Sequence, residues 1–210
     1  MTEKNSFLEL VYYNGESCPS NLSYGQWTVK WWRWFLTAPT SRSPVLDTSG
    51  EYAAENQPTS DIWFLAGKLG NEDKSLPSRS CIIPRGRSIL FPVINCEANP
   101  LEYPELKTEQ ELIDHVTADE NTIIEKVCFL DRKSIPVQRV KSDPSIFEVT
   151  INEDNIFNIQ GEKSTIAYGD GYWVFLKPLS PGIHELSFQG SCENGRLKSG
   201  ANYKLKVEDH

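Results

Sequence analysis

Two polar residues close an apolar run: Asn95 and Glu97 in the stretch ILFPVINCE. Residues two apart on a strand point to the same face, so an amide and a carboxyl are expected side by side at a strand end. Together they can recognise a polar ligand, one group donating and the other accepting. If a second acid faces Glu97, proton transfer opens as well, because paired carboxyls divide acid and base roles when their environments separate their pKa values. That second acid is sought between Glu102 and Asp114. The plainer reading has Asn95 and Glu97 capping a loop and satisfying backbone amides, and the residue types favour it.

The second source of chemistry is aromatic. Trp27, Trp31, Trp32 and Trp34 fall within eight residues of YGQWTVKWWRWFL. At about 100° per residue, the apolar side chains cover most of a helix circumference. Only Gln26, Lys30 and Arg33 form a polar wedge. Such a helix is expected to be buried in a core. The sharper alternative is a stacking platform for a sugar or another flat ligand, with Trp32 as its candidate contact.

Other clusters carry less. Arg79, Arg85 and Arg87 surround Pro84-Arg85-Gly86 and could hold a carboxylate, so Arg85 joins Trp32, Asn95 and Glu97 as a ligand-binding candidate. Surface pairing of these arginines with acids is the plainer role. His184 has no visibly spaced acid or nucleophile and reads as a strand residue. Gly169-Asp170-Gly171 reads as a tight structural turn. The stretch INEDNIFN offers oxygens without EF-hand spacing or its glycine. There is no G-x-S-x-G, H-E-x-x-H, P-loop or G-x-G-x-x-G. Catalytic residues therefore stay unassigned, and no metal or cofactor is expected. His210, at the end of the chain, is expected to be mobile.

Charge narrows the partners. The formal net charge over 210 residues is −8. From Glu97 to Glu125 nine acids face Lys107 alone, so this segment by itself carries −8. No basic stripe exists to hold phosphates, which excludes nucleic acid as the expected partner. The acidic run reads as a solvated helix face with flanking loops, a divalent-cation site being the minority alternative. Five cysteines (Cys18, Cys81, Cys96, Cys128 and Cys192) are odd in number and lack C-x-x-C, which points to buried free thiols in a reducing compartment. The start MTEKNSFLELVYYNGE has no long apolar run, so no secretory signal is read there and a cytoplasmic location is expected. The tryptophan segment is too short and too charged for a membrane span.

The elements that must position these residues follow from local signals. Ser23 caps a helix over 24–37, stopped by Pro39. Thr108 and Glu111 form a capping box opening a helix over 109–118. Between 38 and 61 runs a long Pro- and Gly-punctuated loop, of the kind that is usually functional or mobile. Strands are expected over 61–66, 79–83, 87–94, 122–130, 135–140, 146–151, 171–177, 183–189 and 201–207. Pro84-Arg85-Gly86 is read as a hairpin-like turn, and Pro92 as a bulge or edge position. Nine short strands and two helices predict a mainly β fold: an antiparallel β-sandwich, jelly-roll or Ig-like, forming one domain over 1–210.

Several blocks in order carry a resemblance: YGQWTVKWWRWFLTAP, PVLDTSG, IWFLAG, CIIPRG running into ILFPVINCE, and DGYWVFLKPLSPGIHELSFQG. The chain resembles a family of uncharacterised bacterial proteins with a Trp-rich N-terminal helix. The blocks span Tyr24 to about Val207. The resemblance implies no activity and no catalytic residues. Some relatives carry export signals, and many have a cysteine after the equivalent of Gly50, where this chain reads EYAAENQ.

The expected function is non-catalytic binding of a small polar ligand, a saccharide among the candidates, at loops near the tryptophan helix and the Asn95–Glu97 strand end. A carboxylate-dependent hydrolase or lyase is the first alternative. A protein-interaction module or homo-oligomer is the second.

Overall fold

The computed structural model describes residues 9–58, 61–69, 75–193, 195 and 197–209. His210 and residues 1–8 lie outside them. Helix α1 spans Tyr24–Leu36 and opens with a full capping box: Ser23 Oγ accepts from Gln26 N, and Gln26 Oε1 accepts from Ser23 N. Helix α2 spans Glu109–Glu120 and carries the expected Thr108/Glu111 box. It runs two residues beyond the expected end, because no breaker follows Ala118.

Eleven strands occupy the described residues: β1 (Ile62–Phe64), β2 (Lys68–Leu69), β3 (Ser78–Ile83), β4 (Ser88–Ala98), β5 (Ile123–Leu130), β6 (Lys133–Ser134), β7 (Gln138–Arg139), β8 (Ile146–Ile151), β9 (Lys163–Leu176), β10 (Gly182–Cys192) and β11 (Lys198–Val207). One sheet has the order β1-β4-β9-β7, with β8 also on β9. The other has the order β2-β11-β10-β5-β6, with β3 also on β11. Both sheets are mixed, which corrects the purely antiparallel expectation. β1 pairs parallel to β4, and β3 pairs parallel to β11. The Pro84-Arg85-Gly86 turn is therefore not a hairpin. It carries the chain from β3 in one sheet to β4 in the other, since each strand finds its partner far along the sequence.

One apolar core lies between the sheets. Ile89, Phe91 and Val93 of β4 and Val174 and Leu176 of β9 meet Leu186, Phe188, Tyr203 and Leu205 of the second sheet. A second core lies on the other face of the first sheet, where α1 sits. Trp27, Trp31, Trp32, Trp34 and Phe35 pack there against Phe64, Leu90, Trp173 and Phe175. A buried tryptophan removes about 200 Å² from water, on the order of 5 kcal/mol each. Lys30 and Arg33 are exposed and Gln26 is half-buried, matching the polar wedge. Three indole N–H groups find carbonyls: Trp27 on Pro19, Trp31 on Leu65 and Trp34 on Glu55.

One carboxylate organises the middle of the expected loop. Asp47 accepts from the backbone N–H of Ser49, Gly50 and Tyr52. Burial disfavours its charge, but these bonds hold its pKa below the ordinary value. Gly50 has φ +90°, and a Cβ there would meet Ser80 O at 2.3 Å. The Pro-x-x-Asp-x-x-Gly block thus docks the loop on β3.

Candidate functional site

A bulge in β4 decides which way the candidate residues face. Ile89, Phe91 and Val93 point into the core between the sheets. Strict alternation would send Asn95 and Glu97 there too. The register of β4 against β9 shifts between Pro92 and Ile94, and Ile94 joins Ile123 and Cys192 on the second sheet's side. Two successive residues thus point the same way. Asn95 and Glu97 are returned to the face that carries α1. Pro92 is the sequence mark of this bulge.

Across from them β9 presents glycine. Asn95 pairs with Gly171, and Glu97 with Gly169. The Gly169-Asp170-Gly171 stretch is central strand, not the expected tight turn. A Cβ on Gly169 would lie 2.5 Å from Trp32 Nε1, and one on Gly171 would lie 2.9 Å from Trp173 Nε1. The glycines let two indoles settle onto the sheet, a close-approach role that strand glycines often have. Trp31, Trp32 and Trp173 then meet edge to face, at centroid distances of 5.1, 5.3 and 6.5 Å.

These residues wall a cavity of about 170 Å³. Trp31, Trp32, Phe35 and Phe157 supply aromatic surface, and Asn95, Glu97, Glu102, Tyr103, Asp119 and Lys68 supply polar groups. At ~30 Å³ per water the volume suits five or six waters, or one small organic molecule. Three wall residues carry a buried polar atom with no partner: Trp32 Nε1, Asn95 Nδ2 and Glu102 Oε2. Native proteins satisfy most such atoms.

Asn99 builds the carboxyl pair. Fully buried, it donates to Glu97 Oε1 at 3.0 Å, while its own Oδ1 accepts from the backbone N–H of Leu101 and Glu102. This turn brings Glu102 back beside Glu97. Glu97 is pushed up to about 8 by desolvation and by the Glu102 charge, with Asn99 opposing. Glu102 is pushed up to about 7 by desolvation, with Tyr103 opposing. Glu97 is half-buried at the cavity wall. At neutral pH the pair holds at least one proton.

The sequence-predicted residues divide. Trp32, Asn95 and Glu97 come together at this cavity, with Glu102 as the acid sought from the Glu102–Asp114 region. Arg85 does not join them. It is exposed, and its Nη1 donates to Asp209 O at 2.9 Å. Nor do its neighbours pair with the acidic helix. Buried Arg79 donates to Ala66 O and Tyr203 Oη, and Arg87 to the carbonyls of Pro58 and Ile62. Backbone carbonyls near the strand ends lie closer to these arginines than α2 does in this topology.

Two further expectations change. The acidic segment is not uniformly solvated: Glu97 and Glu102 are half-buried, and Glu120 is withdrawn from water. Glu120 is fully buried behind β4, its pKa pushed up to about 8 by desolvation, with the neighbouring thiol of Cys96 opposing. The Cys96 thiol lies beside it and is itself held well above the thiol range by burial. His184 has a partner: Nδ1 lies 2.8 Å from Asp131 Oδ2, and Nε2 lies 2.9 Å from Ser180 O. The missed residues Asn99, Gly169 and Gly171 left signals, namely an Asn-Pro pair after a strand and glycines inside an apolar one. Among the described residues no helix is long and apolar enough to cross a membrane. The chain has no match among protein-family models, curated proteins or solved structures.

Proposed function

We propose that the cavity between α1 and the β4–β9 face binds a small polar ligand without transforming it, a saccharide being the class first expected. One observation carries this reading. Three residues of one wall, Trp32, Asn95 and Glu102, each hold a buried polar atom with no partner in the protein. Leaving such groups unpaired costs about 1–3 kcal/mol each, a cost that a ligand reaching Asn95 and Glu102 can recover. Aromatic walls with a few convergent polar groups are the ordinary make-up of a ligand pocket.

The scaffold of this reading is a β-sandwich of jelly-roll or Ig-like type, from which the parallel β1–β4 and β3–β11 pairs depart. Membership of the bacterial Trp-rich family belongs to the same proposal. A reducing, cytoplasmic setting is supported by the buried thiols of Cys18, Cys81 and Cys128.

A thermal-shift panel of sugars, amines and metabolites tests the proposal. A ligand at about 100 times its Kd adds ~2.7 kcal/mol, or roughly 5–10 °C in a domain of this size. The reading requires Glu97→Gln to shrink the shift while the free protein melts no lower than the parent chain. A flat panel, or a shift untouched by that substitution, sinks it.

The second reading is a carboxylate-dependent hydrolase or lyase. Its support is the Glu97–Glu102 pair, whose raised pKa values suit acid–base work near neutral pH. Turnover of a bound hit, abolished by Glu97→Gln or Glu102→Gln, would select it over simple binding.

A further inference from the structure

The charges on the cavity wall are unbalanced. Glu97, Glu102 and Asp119 face Lys68, the one cation on that wall among the described residues. The charged group acting on Glu97 is Glu102, another acid, and Glu102 is shifted by no cation. Beside these carboxyls stand Trp31, Trp32, Phe35 and Phe157. Aromatic faces attract cations through the ring quadrupole, most strongly when water is excluded. Carboxyls and aromatic faces together suit one kind of guest.

Resting on the binding reading above, we propose that the ligand is a small organic cation, an amine or quaternary ammonium held between the aromatic wall and the Glu97–Glu102 pair. A hard metal ion fits less well. Such ions take six or more oxygens, and among the described residues no group of three acids, histidines or cysteines is placed to hold one. The unpartnered Asn95 Nδ2 donor calls for an acceptor elsewhere on the same guest, as a hydroxyl of an amino sugar or amino alcohol would supply. The protonation of the pair agrees. Two facing acids without a cation keep protons, and an ammonium between them favours the ionised forms. Binding near pH 7 then releases protons. Tyr103, Asp119, Cys96 and Lys68 are the other titratable residues lining the cavity.

Calorimetry on the full chain at pH 7 with matched pairs tests this: glucosamine against glucose, and choline against neohexanol, its uncharged carbon isostere. The charged member of at least one pair should bind about tenfold tighter or more than its neutral partner. Repeating the titration in buffers of different ionisation enthalpy should show proton release. Glu97→Gln and Glu102→Gln should each shrink the preference to about twofold. Equal binding of both members overturns the charge assignment and leaves the binding reading standing. A preference unmoved in both variants also overturns it, because the charge would then be read elsewhere. Should a variant fail to fold, the matched pairs and proton release in the unaltered chain decide alone. Failure of all four probes together with a flat thermal-shift panel removes both inferences.

Discussion

The indole of Trp32 rests against the backbone of Gly169, so closely that a Cβ on that glycine would come within 2.5 Å of Nε1. The contact joins the tryptophan helix to the strand that faces Glu97, since Gly169 pairs with Glu97. It fixes one wall of the cavity by close packing.

Gly169→Ala should therefore destabilise the protein by about 1–3 kcal/mol, the usual cost of forcing atoms into a packed site. Urea unfolding followed by tryptophan fluorescence would measure it. Gly86→Ala is a control of another kind: no atom lies within 4 Å of its added Cβ, so only the positive φ of +81° is penalised. Equal m-values with a lower midpoint for Gly169→Ala would support the packing account.

Trp32→Ala is a poor probe of binding, because Trp32 is only 5% exposed. Its removal should cost about 3–5 kcal/mol, as for other buried aromatics. Glu97→Gln keeps the volume and removes the cost of ionising a carboxyl that the fold keeps protonated, so near neutral pH the variant should be at least as stable as the parent chain. Melting curves of the two variants, run before any ligand is added, check the contrast.

The buried acids give stability an unusual pH dependence. Glu97 and Glu120 are raised to about 8, and Glu102 to about 7, from an ordinary 4.5. Between about pH 4.5 and 8 the folded state binds more protons than the unfolded one, so these groups lower stability as pH rises. Below 4.5 both states are protonated and the effect vanishes. Glu120→Gln should flatten part of this slope in denaturation midpoints taken from pH 5 to 8.5. A slope identical to that of the parent chain would count against the burial of Glu120.

His184 works in the same direction by a different route. Asp131 and Ser180 O hold its pKa above 6.5 against desolvation. Its contribution is complete below the unfolded pKa and is lost as pH rises through the folded value. Asp131→Asn should remove that loss, and the imidazole shifts followed by NMR titration should move to lower pH. An unchanged titration would dissolve the pair.

Asp170 is fully buried and binds Arg139 through Nε at 3.0 Å and Nη2 at 2.7 Å. Breaking a buried pair leaves an uncompensated charge, at about 3–5 kcal/mol. Arg139 keeps partial contact with water, so Asp170→Asn should fall at the low end, about 3 kcal/mol. Chemical unfolding of the single variants and of Asp170→Asn with Arg139→Met would isolate the coupling.

Much of this molecule is settled by local chemistry. Ser23 and Thr108 cap their helices through bonds to residues three along the chain, so those starts are written in adjacent sequence. The polar wedge of α1 and the alternation in β8 follow from the 3.6- and 2-residue periods alone. The gathering of Asn95 and Glu97 on one face is legible, and an acid from the following segment beside Glu97 is what the alternative, catalytic reading requires. Other decisions needed partners far away. Whether Gly169-Asp170-Gly171 turns or runs straight depends on β4 lying alongside it, a partner about 70 residues earlier. The crossing at Pro84-Arg85-Gly86 depends on β3 finding β11 at the far end of the chain. Alternation could not say which face Glu97 takes, because one extra residue at the Pro92 bulge reverses every side chain beyond it. The burial that holds protons on Glu97, Glu102 and Glu120 exists only once the helices are packed. Sequence thus set the elements and their apolar faces, since those forces act within a few residues. Tertiary structure set the pairing, the parity and the electrostatics of the cavity, since those arise only when distant segments exclude water from one another.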